Sequence, residues 1–379
     1  MIPRAPETLR ARIDRWLAPL RQPGALPREF RIDELETEQG ITLWLASPTS
    51  RLRVELERAD AGRPCFATTA RFNVYAHHAE PSSREPFASD VLEAIASVLR
   101  AHEGELDVAP LPSDGRADVR EIEVDKGLVR EAEGAYYVNP YVGCMLGCPF
   151  CYASHRAELS RALDGRPATP WGKYVDVKVN LPEVIAREVR ALPPGIVRMS
   201  PIITDPYQPI ERRYRITRGV LRALSGTAFT PIVLTRASLV VEDLPLLASF
   251  PRAFLGLSVP TDDDDVRRAF EPATEPIAAR IATLRAAREA GLVTFAIVQP
   301  MLPHDAEKLV ELLASLVDAV RIGPLYEKQR ALPTYRALGL HGAPTEAEER
   351  ASFEELRSRF EARGVRVNPN DAMWSFLRG

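Results

Sequence analysis

Apolar positions recur along this chain with two different periods, and the change between them divides it. Over residues 6–20 the apolar side chains Leu9, Ile13, Leu17 and Leu20 fall at helical spacing. Three runs follow: Ile41-Thr-Leu-Trp-Leu, Leu52-Arg-Val-Glu-Leu and Arg71-Phe-Asn-Val-Tyr. Each alternates apolar and polar residues, as half-buried strands do. Asp60-Ala-Gly-Arg-Pro is a turn signal between two of them. A second helix is predicted over 90–102, with Asp90 as its N-cap. These elements predict a small α+β domain of mostly antiparallel strands over residues 1–125. The stretch 109–119, with its Pro, Ser, Asp and Gly, reads as a linker.

From Tyr136 onward the pattern changes. Strands predicted at 136–142, 197–203, 231–235, 254–259, 294–299 and 319–322 alternate with helices over 152–163, 182–191, 213–224, 241–248, 275–290 and 305–317. Short apolar strands separated by longer amphipathic helices make a parallel sheet with helices outside. Six such repeats suit either a doubly wound open sheet or a barrel. A strand-like piece, Tyr174-Val-Asp-Val-Lys-Val, interrupts the first repeat. Further helices are predicted at 345–362 and 372–377. Residues 126–379 therefore read as one α/β domain with a C-terminal helical extension.

Composition narrows the classes. The chain has 379 residues, 45% of them hydrophobic, and a net charge of −3, which suits a globular protein with a substantial core. No apolar run approaches bilayer length. The first 20 residues mix charge with leucine and lack a secretory core. A cytoplasmic protein without a membrane partner is expected. The charge balance is not that of a dedicated nucleic-acid binder. Arg212, Arg213, Arg215, Arg218 and Arg222 read as a solvated helix face. The aspartates at 262–265 read as favourable charge at a helix N-terminus.

The cysteines change the picture most. There are four, and Cys144, Cys148 and Cys151 fall within eight residues. Such spacing outside a secretory context reads as metal binding. Cys65 stands alone and reads as a small buried hydrophobe. The motif Cys144-Met-Leu-Gly-Cys148-Pro-Phe-Cys151 lies between the first α/β strand and the first helix, in a loop at a strand's C-terminal end. That is where α/β barrels and sheets place their active sites. Two metals fit the thiols. Zinc takes four ligands, and His155 is placed to be the fourth. A cubane iron–sulfur cluster held by three thiolates leaves one iron open, which suits binding of a substrate at iron. The long, enzyme-like surrounding domain favours the cluster.

A Cys-x₃-Cys-x₂-Cys motif after the first strand of a six-repeat β/α domain, with Phe150 just before the third cysteine, resembles the radical S-adenosylmethionine (radical SAM) enzymes. Asn139-Pro-Tyr-Val-Gly-Cys-Met-Leu-Gly-Cys-Pro-Phe-Cys-Tyr-Ala and Thr204-Asp-Pro-Tyr-Gln-Pro-Ile-Glu resemble, more narrowly, the spore photoproduct lyase-like branch. The resemblance covers residues 136–325. It implies a (β/α)6 partial TIM barrel of the radical SAM type and a 4Fe–4S cluster on Cys144, Cys148 and Cys151. S-adenosylmethionine would chelate the open iron through its amino and carboxylate groups. One-electron cleavage would then give methionine and a 5′-deoxyadenosyl radical that takes hydrogen from the substrate. A reducing partner such as flavodoxin or ferredoxin is implied as well.

The resemblance also implies roles for single residues. Phe150 would lie against the adenine, and Thr204 and Asp205 would meet the ammonium group. Arg236 would pair with the methionine carboxylate. Ser258 would reach the carboxylate or ribose, and Gln299 the ribose or substrate. Tyr152 and Tyr207 are candidate radical or hydrogen-atom relays. Lys178 and Asn180 are candidate cavity polars, and Asn370, Asp371 and Trp374 a candidate plug for the open barrel. The branch's name-giving enzyme uses an additional cysteine to return hydrogen to its product. This chain has none beyond Cys151, which counts against that reaction on thymine dimers and against an auxiliary cluster. The leading expectation is a radical SAM enzyme acting on a small organic molecule or a peptide. A nucleic-acid lesion repair lyase of the same chemistry and a zinc-stabilised binding protein are the alternatives. The N-terminal domain is expected to bind substrate or a partner, or to act as a lid.

Overall fold

The computed structural model describes residues 9–36, 41–58, 67–68, 72–78, 88–102, 117–166, 169–200 and 202–367. Cys65, the helix predicted over 372–377 and the candidate plug residues Asn370, Asp371 and Trp374 lie outside these described residues. The chain forms two compact units. The first takes residues 1–116, 131–133 and 152–170, and the second takes 117–130, 134–151 and 171–379.

The first unit contains α1 (Leu9–Leu17), then β1 (Arg31–Glu36), β2 (Ile41–Ala46), β3 (Arg51–Arg58), β4 (Ala67–Thr68) and β5 (Phe72–His78), then α2 (Ser89–His102) and α3 (Ala153–Leu163). Its sheet runs β1-β2-β3-β5-β4, with antiparallel pairings throughout. Alternation sorts its side chains. Leu43, Leu45, Val54, Leu56 and Val74 join a core with Ile13, Trp16, Leu92, Ile95 and Leu99, and Leu159 and Leu163 of α3 complete it. The intervening residues Thr42, Trp44, Arg53, Glu55 and Tyr75 are also buried, so the second face of the sheet is covered too. β1 escaped the sequence pattern because Arg-Ile-Asp-Glu-Leu-Glu buries little along its length.

The division between the units differs from the boundary read at residue 125. β6 (Asp118–Ile122) belongs to the second unit, where it pairs in parallel with β10 (Tyr174–Lys178). Part of the predicted linker is thus a strand. Its polar sequence hid it, since every residue of β6 is at least partly exposed. In the other direction, residues 131–133 and α3 join the first unit.

β7 (Val129–Ala132), which begins in the second unit and ends in the first, and then β8 (Ala135–Tyr137) and β9 (Tyr141–Val142) of the second unit precede β10. The single strand predicted over 136–142 is two strands, split around Pro140, which has no N–H to give to a ladder. There follow α4 (Leu181–Ala191), β11 (Ile196–Met199), α5 (Glu211–Tyr214), α6 (Ile216–Leu224), β12 (Thr230–Thr235), α7 (Leu244–Ala248), β13 (Phe254–Ser258), α8 (Asp264–Phe270), α9 (Ile277–Glu289), β14 (Val293–Val298), α10 (Ala306–Leu313), β15 (Ala319–Ile322), α11 (Lys328–Ala337), α12 (Glu346–Ala362) and β16 (Arg366–Val367). The helix predicted over 213–224 is broken at Arg215, whose φ of 57° ends one helix and opens the next.

The main sheet runs β7-β8-β11-β12-β13-β14-β15-β16. From β8 onward each strand pairs in parallel with its neighbours. This order follows the chain without reversal. A doubly wound sheet must reverse at its switch point, so the winding is that of a partial barrel. Alternation again sorts the faces. Val233, Leu255, Leu257, Ala296 and Val298 pack in the helix-side core, whereas Ile232, Leu234, Phe254, Phe295 and Ile297 pack together on the inner face. Gly256 lies on that inner face, and a Cβ there would sit 2.2 Å from the Phe295 ring. Carried one step further, the same period brings Arg236, Ser258 and Gln299 to the inner face at the strands' C-terminal ends.

Candidate active site

The cysteine loop leaves β9 and is held by groups that follow β11. Gly143 turns at a φ of +89°, where a Cβ would strike the Tyr174 ring and carbonyl. Its carbonyl accepts from the Thr204 hydroxyl at 2.7 Å and from Gln208 Nε2 at 3.0 Å. Gln208 Nε2 also donates to the Thr204 hydroxyl at 2.7 Å, and Gln208 Oε1 accepts from Met145 N at 2.8 Å. The Gln208 amide, wholly buried, therefore clamps the loop on both sides of Cys144. Gly147, with a φ of +61°, meets Gly172 so closely that a Cβ on Gly172 would lie 2.9 Å from its Cα. Cys151 N closes a turn onto the Cys148 carbonyl at 3.1 Å.

Cys144 and Cys148 are buried and Cys151 is partly so. Burial, together with Asp205 and Cys151, pushes the Cys144 thiol up to about 12. Burial also raises Cys148 well above the ordinary thiol value, while the Arg236 cation acts in the opposite sense. Three soft donors on one short loop fit a cluster ligated by three cysteines. Among the described residues, no group of three or more His, Cys, Asp or Glu side chains is disposed to hold a single metal ion. His155, the zinc ligand considered above, is buried on α3 in the first unit, whereas the cysteines belong to the second.

Asp205 is buried, and its carboxylate accepts from Thr235 Oγ1 at 2.6 Å, Tyr207 N at 2.9 Å and Arg236 N at 2.9 Å. It ties the end of β12 to the loop after β11. Burial raises its pKa despite these donors. Arg236 is buried, donates from Nε to Glu271 Oε1 at 2.6 Å, and holds its guanidinium carbon 5.7 Å from the centre of the Phe150 ring. Burial opposes its charge, but Glu271, Cys148, Cys151 and Asp205 together hold its pKa above the ordinary value. Phe150 joins an apolar cluster with Cys144, Leu146, Cys148, Phe270, Leu302, Leu325 and Tyr335. The Tyr335 hydroxyl is buried there with no hydrogen-bond partner among the described residues.

Ser258 is buried, and its carbonyl accepts from Arg280 NH1 at 2.9 Å. The half-buried Gln299 side chain lies across Gly323, where a Cβ would come within 2.6 Å of it. Tyr207 sits in the helix-side core, its hydroxyl donating to Asp243 at 2.9 Å. Tyr152 precedes α3 in the first unit. Asn180 exchanges two 2.9 Å hydrogen bonds with the Val124 backbone, and Lys178 is buried in β10.

Sequence reasoning missed Gln208, Glu211, Glu271 and Arg280. Gln208 and Glu211 stand inside the Thr204 motif, where two polar residues three apart were the available signal. Glu211 is buried, accepting from the Tyr141 hydroxyl and from Thr217 N at 3.0 Å and Arg218 N at 3.1 Å. Glu271 and Arg280 follow β13 with no local pattern to mark them.

Comparison with known proteins agrees with this site. A family model described as the Radical SAM superfamily matches residues 138–316. An uncharacterized protein of Methanocaldococcus jannaschii is 30% identical over 177 residues, 46% of this chain and 64% of that one. An uncharacterized protein of Mycobacterium tuberculosis is 33% identical over 197 residues, covering 50% and 56%. The chain thus spans a little over half to under two thirds of these relatives. Among solved structures, a spore photoproduct lyase variant with bound AdoMet and dinucleoside spore photoproduct superposes with a TM-score of 0.48 at 17% identity, over 69% of this chain and 87% of the other. Streptococcus suis SuiB gives 0.40 at 14%, over 77% and 57%. No helix among the described residues is long and apolar enough to cross a membrane. With its three-cysteine loop at the mouth of a sequentially wound β/α sheet, the segment 138–316 is similar to the radical SAM superfamily.

Proposed function

We propose that this chain is a radical SAM enzyme whose Cys144, Cys148 and Cys151 hold a 4Fe–4S cluster and which acts on a small organic molecule or a peptide. The observation that carries the reading is the clamped cysteine loop beside a buried arginine from the end of β12. The chemistry such a cluster supplies when bound is one-electron cleavage of S-adenosylmethionine, which yields the radical that removes hydrogen from a substrate.

The chain's own residues have separable parts. Thr204 and Gln208 set the loop conformation rather than meeting the ammonium group, because their polar atoms are engaged with Gly143 and Met145. Asp205 orders the strand ends and adds negative potential beside Cys144. Arg236 offers a guanidinium to the cofactor's carboxylate, a planar match. Phe150, Phe270 and Leu302 exclude water around the thiols. Ser258 and Gln299 supply polar groups on the inner face for ribose or substrate. Tyr207, held by Asp243, is scaffold in this reading and not a radical carrier. A one-electron donor such as flavodoxin or ferredoxin and a cytoplasmic setting complete the proposal. Nucleic acid is the less favoured substrate, given a net charge of −3.

Anaerobic reconstitution with iron and sulfide tests it. A brown protein with about four irons per chain is expected, releasing 5′-deoxyadenosine under reductant. Cys148→Ala should abolish colour and release, and His155→Ala should keep the iron. Colourless protein carrying one zinc would overturn the reading.

A further inference from the structure

Arg236 is held at one edge and open at the other. Its Nε donates to Glu271, its face lies over Phe150, and it is 8% exposed. Its two Nη groups donate to no described residue. An arginine more than nine-tenths buried with an unpartnered fork marks the place of a planar anionic group.

Glu271 also meets a second arginine. Its Oε2 lies 2.6 Å from Arg280 NH2, and both residues are wholly buried. Arg280 is fixed in turn, donating to the Ser258 carbonyl at 2.9 Å and to the Thr274 hydroxyl at 2.7 Å. The charges explain why two arginines are present. A lone glutamate on Arg236 would cancel the field that Arg236 presents to a ligand. Arg280 offsets Glu271, so Arg236 keeps its own charge while still being oriented. Asp205, the other nearby carboxylate, is committed to Thr235, Tyr207 and the Arg236 backbone, not to the guanidinium.

We propose that Glu271 and Arg280 are a positioning pair, aiming the Nη edge of Arg236 at a ligand carboxylate beside the cysteine loop, and that this carboxylate belongs to the amino-acid end of S-adenosylmethionine. The inference rests on the radical SAM reading above. It adds that the cofactor's carboxylate is selected by residues that never touch it. The pair spans two segments after β13, so the end of that strand and the start of α9 are joined to the end of β12 through one glutamate. Phe150 constrains only the face of the guanidinium, whereas the bond from Nε to Glu271 fixes its in-plane direction.

The test is calorimetric titration of the reconstituted protein with two ligands, S-adenosylmethionine and decarboxylated S-adenosylmethionine. The unaltered protein should favour the first. Glu271→Gln should weaken the first by about tenfold and the second by less than about threefold. Arg280→Met should show the same selective loss, and Arg280→Lys, which keeps the charge, a smaller one. If Arg280→Met does not fold, Glu271→Gln and Arg280→Lys still decide the matter. Equal weakening of both ligands, or no weakening of either, overturns the positioning role, as does an unaltered protein that does not distinguish them. Failure of the unaltered protein to hold iron or bind either ligand instead overturns the parent reading.

Discussion

Each unit buries a glutamate between two arginines, and the two clusters differ in what surrounds them. In the first unit Glu55 accepts from Arg156 at 3.1 Å and lies 3.4 Å from Arg53. Arg53 also donates to the Glu131 carbonyl at 3.0 Å and lies 3.6 Å from its carboxylate, and His77 stands 3.6 Å from Glu55. Two carboxylates meet two arginines there, on a covered sheet face. In the second unit Glu271 lies between Arg236 and Arg280, and the charge of Arg236 is felt by Cys148 and Cys151. An ionic network of the first kind serves a covered sheet face. An open one has a direction, and direction is what a binding site needs.

Substitutions that separate stability from binding test this contrast. The largest effect should come from Glu55→Ala, which strands two buried arginines. A loss of about 3–5 kcal/mol in denaturant unfolding is expected, with no selective change in cofactor affinity of the folded protein. Replacing Glu55 and Arg156 together by methionine should recover most of that loss, since apolar exchange of a buried pair is often neutral. The matching change at Glu271, Arg236 and Arg280, all three made methionine so that no buried charge is left alone, should keep stability and abolish recognition of the S-adenosylmethionine carboxylate. If it keeps carboxylate recognition, the two clusters are alike and the contrast fails.

A middle-sized effect is expected at the loop clamp. Gln208→Ala leaves the Met145 N–H without its acceptor and Gly143 with one donor fewer, costing about 1–3 kcal/mol and lowering the iron content reached on reconstitution. Iron content equal to that of the unaltered protein would show that Thr204 alone holds the loop.

The smallest effect concerns acid. Burial opposes the charged form of Glu271, but Arg280 and Arg236 hold its pKa below the ordinary 4.5. Its contribution to stability is then complete above about 4.5 and is lost as pH falls through the lower folded value. Asp205 is raised by burial, so protonation relieves a cost and its contribution has the opposite sign. Glu271→Gln should flatten the acid limb of the stability curve, and Asp205→Asn should remove a gain on descending from neutrality. Unchanged curves would mean that neither carboxylate is titrating in the folded site.

Much of the scaffold was legible because periodicity reports burial. The strands at 231–235, 254–258 and 294–298 each bury two faces and stood out as apolar runs. The same alternation points Arg236, Ser258 and Gln299 inward. β1 and β6 were missed for the converse reason, since little of either is buried. The cysteine loop was visible from spacing, but its clamp was not, because Gln208 and Gly143 are brought together only by the fold. The buried charges at Glu55 and Glu271 were invisible too. A glutamate in a strand or after a helix reads as solvated until its distant arginine, Arg156 at 101 residues on in one case and Arg236 at 35 residues back across α8 in the other, is seen beside it.

The assignment of α3 to the first unit has a practical consequence. The chain visits that unit three times, and its last visit begins at Tyr152, immediately after Cys151. No single peptide cleavage releases either unit whole. A polypeptide begun at residue 117 would carry α3 with Leu159 and Leu163 stripped of the core they complete. The N-terminal region is therefore not a detachable cassette. Gene fusions, truncations and chimaeras that treat it as one will part residues 152–170 from the core they complete, and should keep that segment together with the N-terminal region.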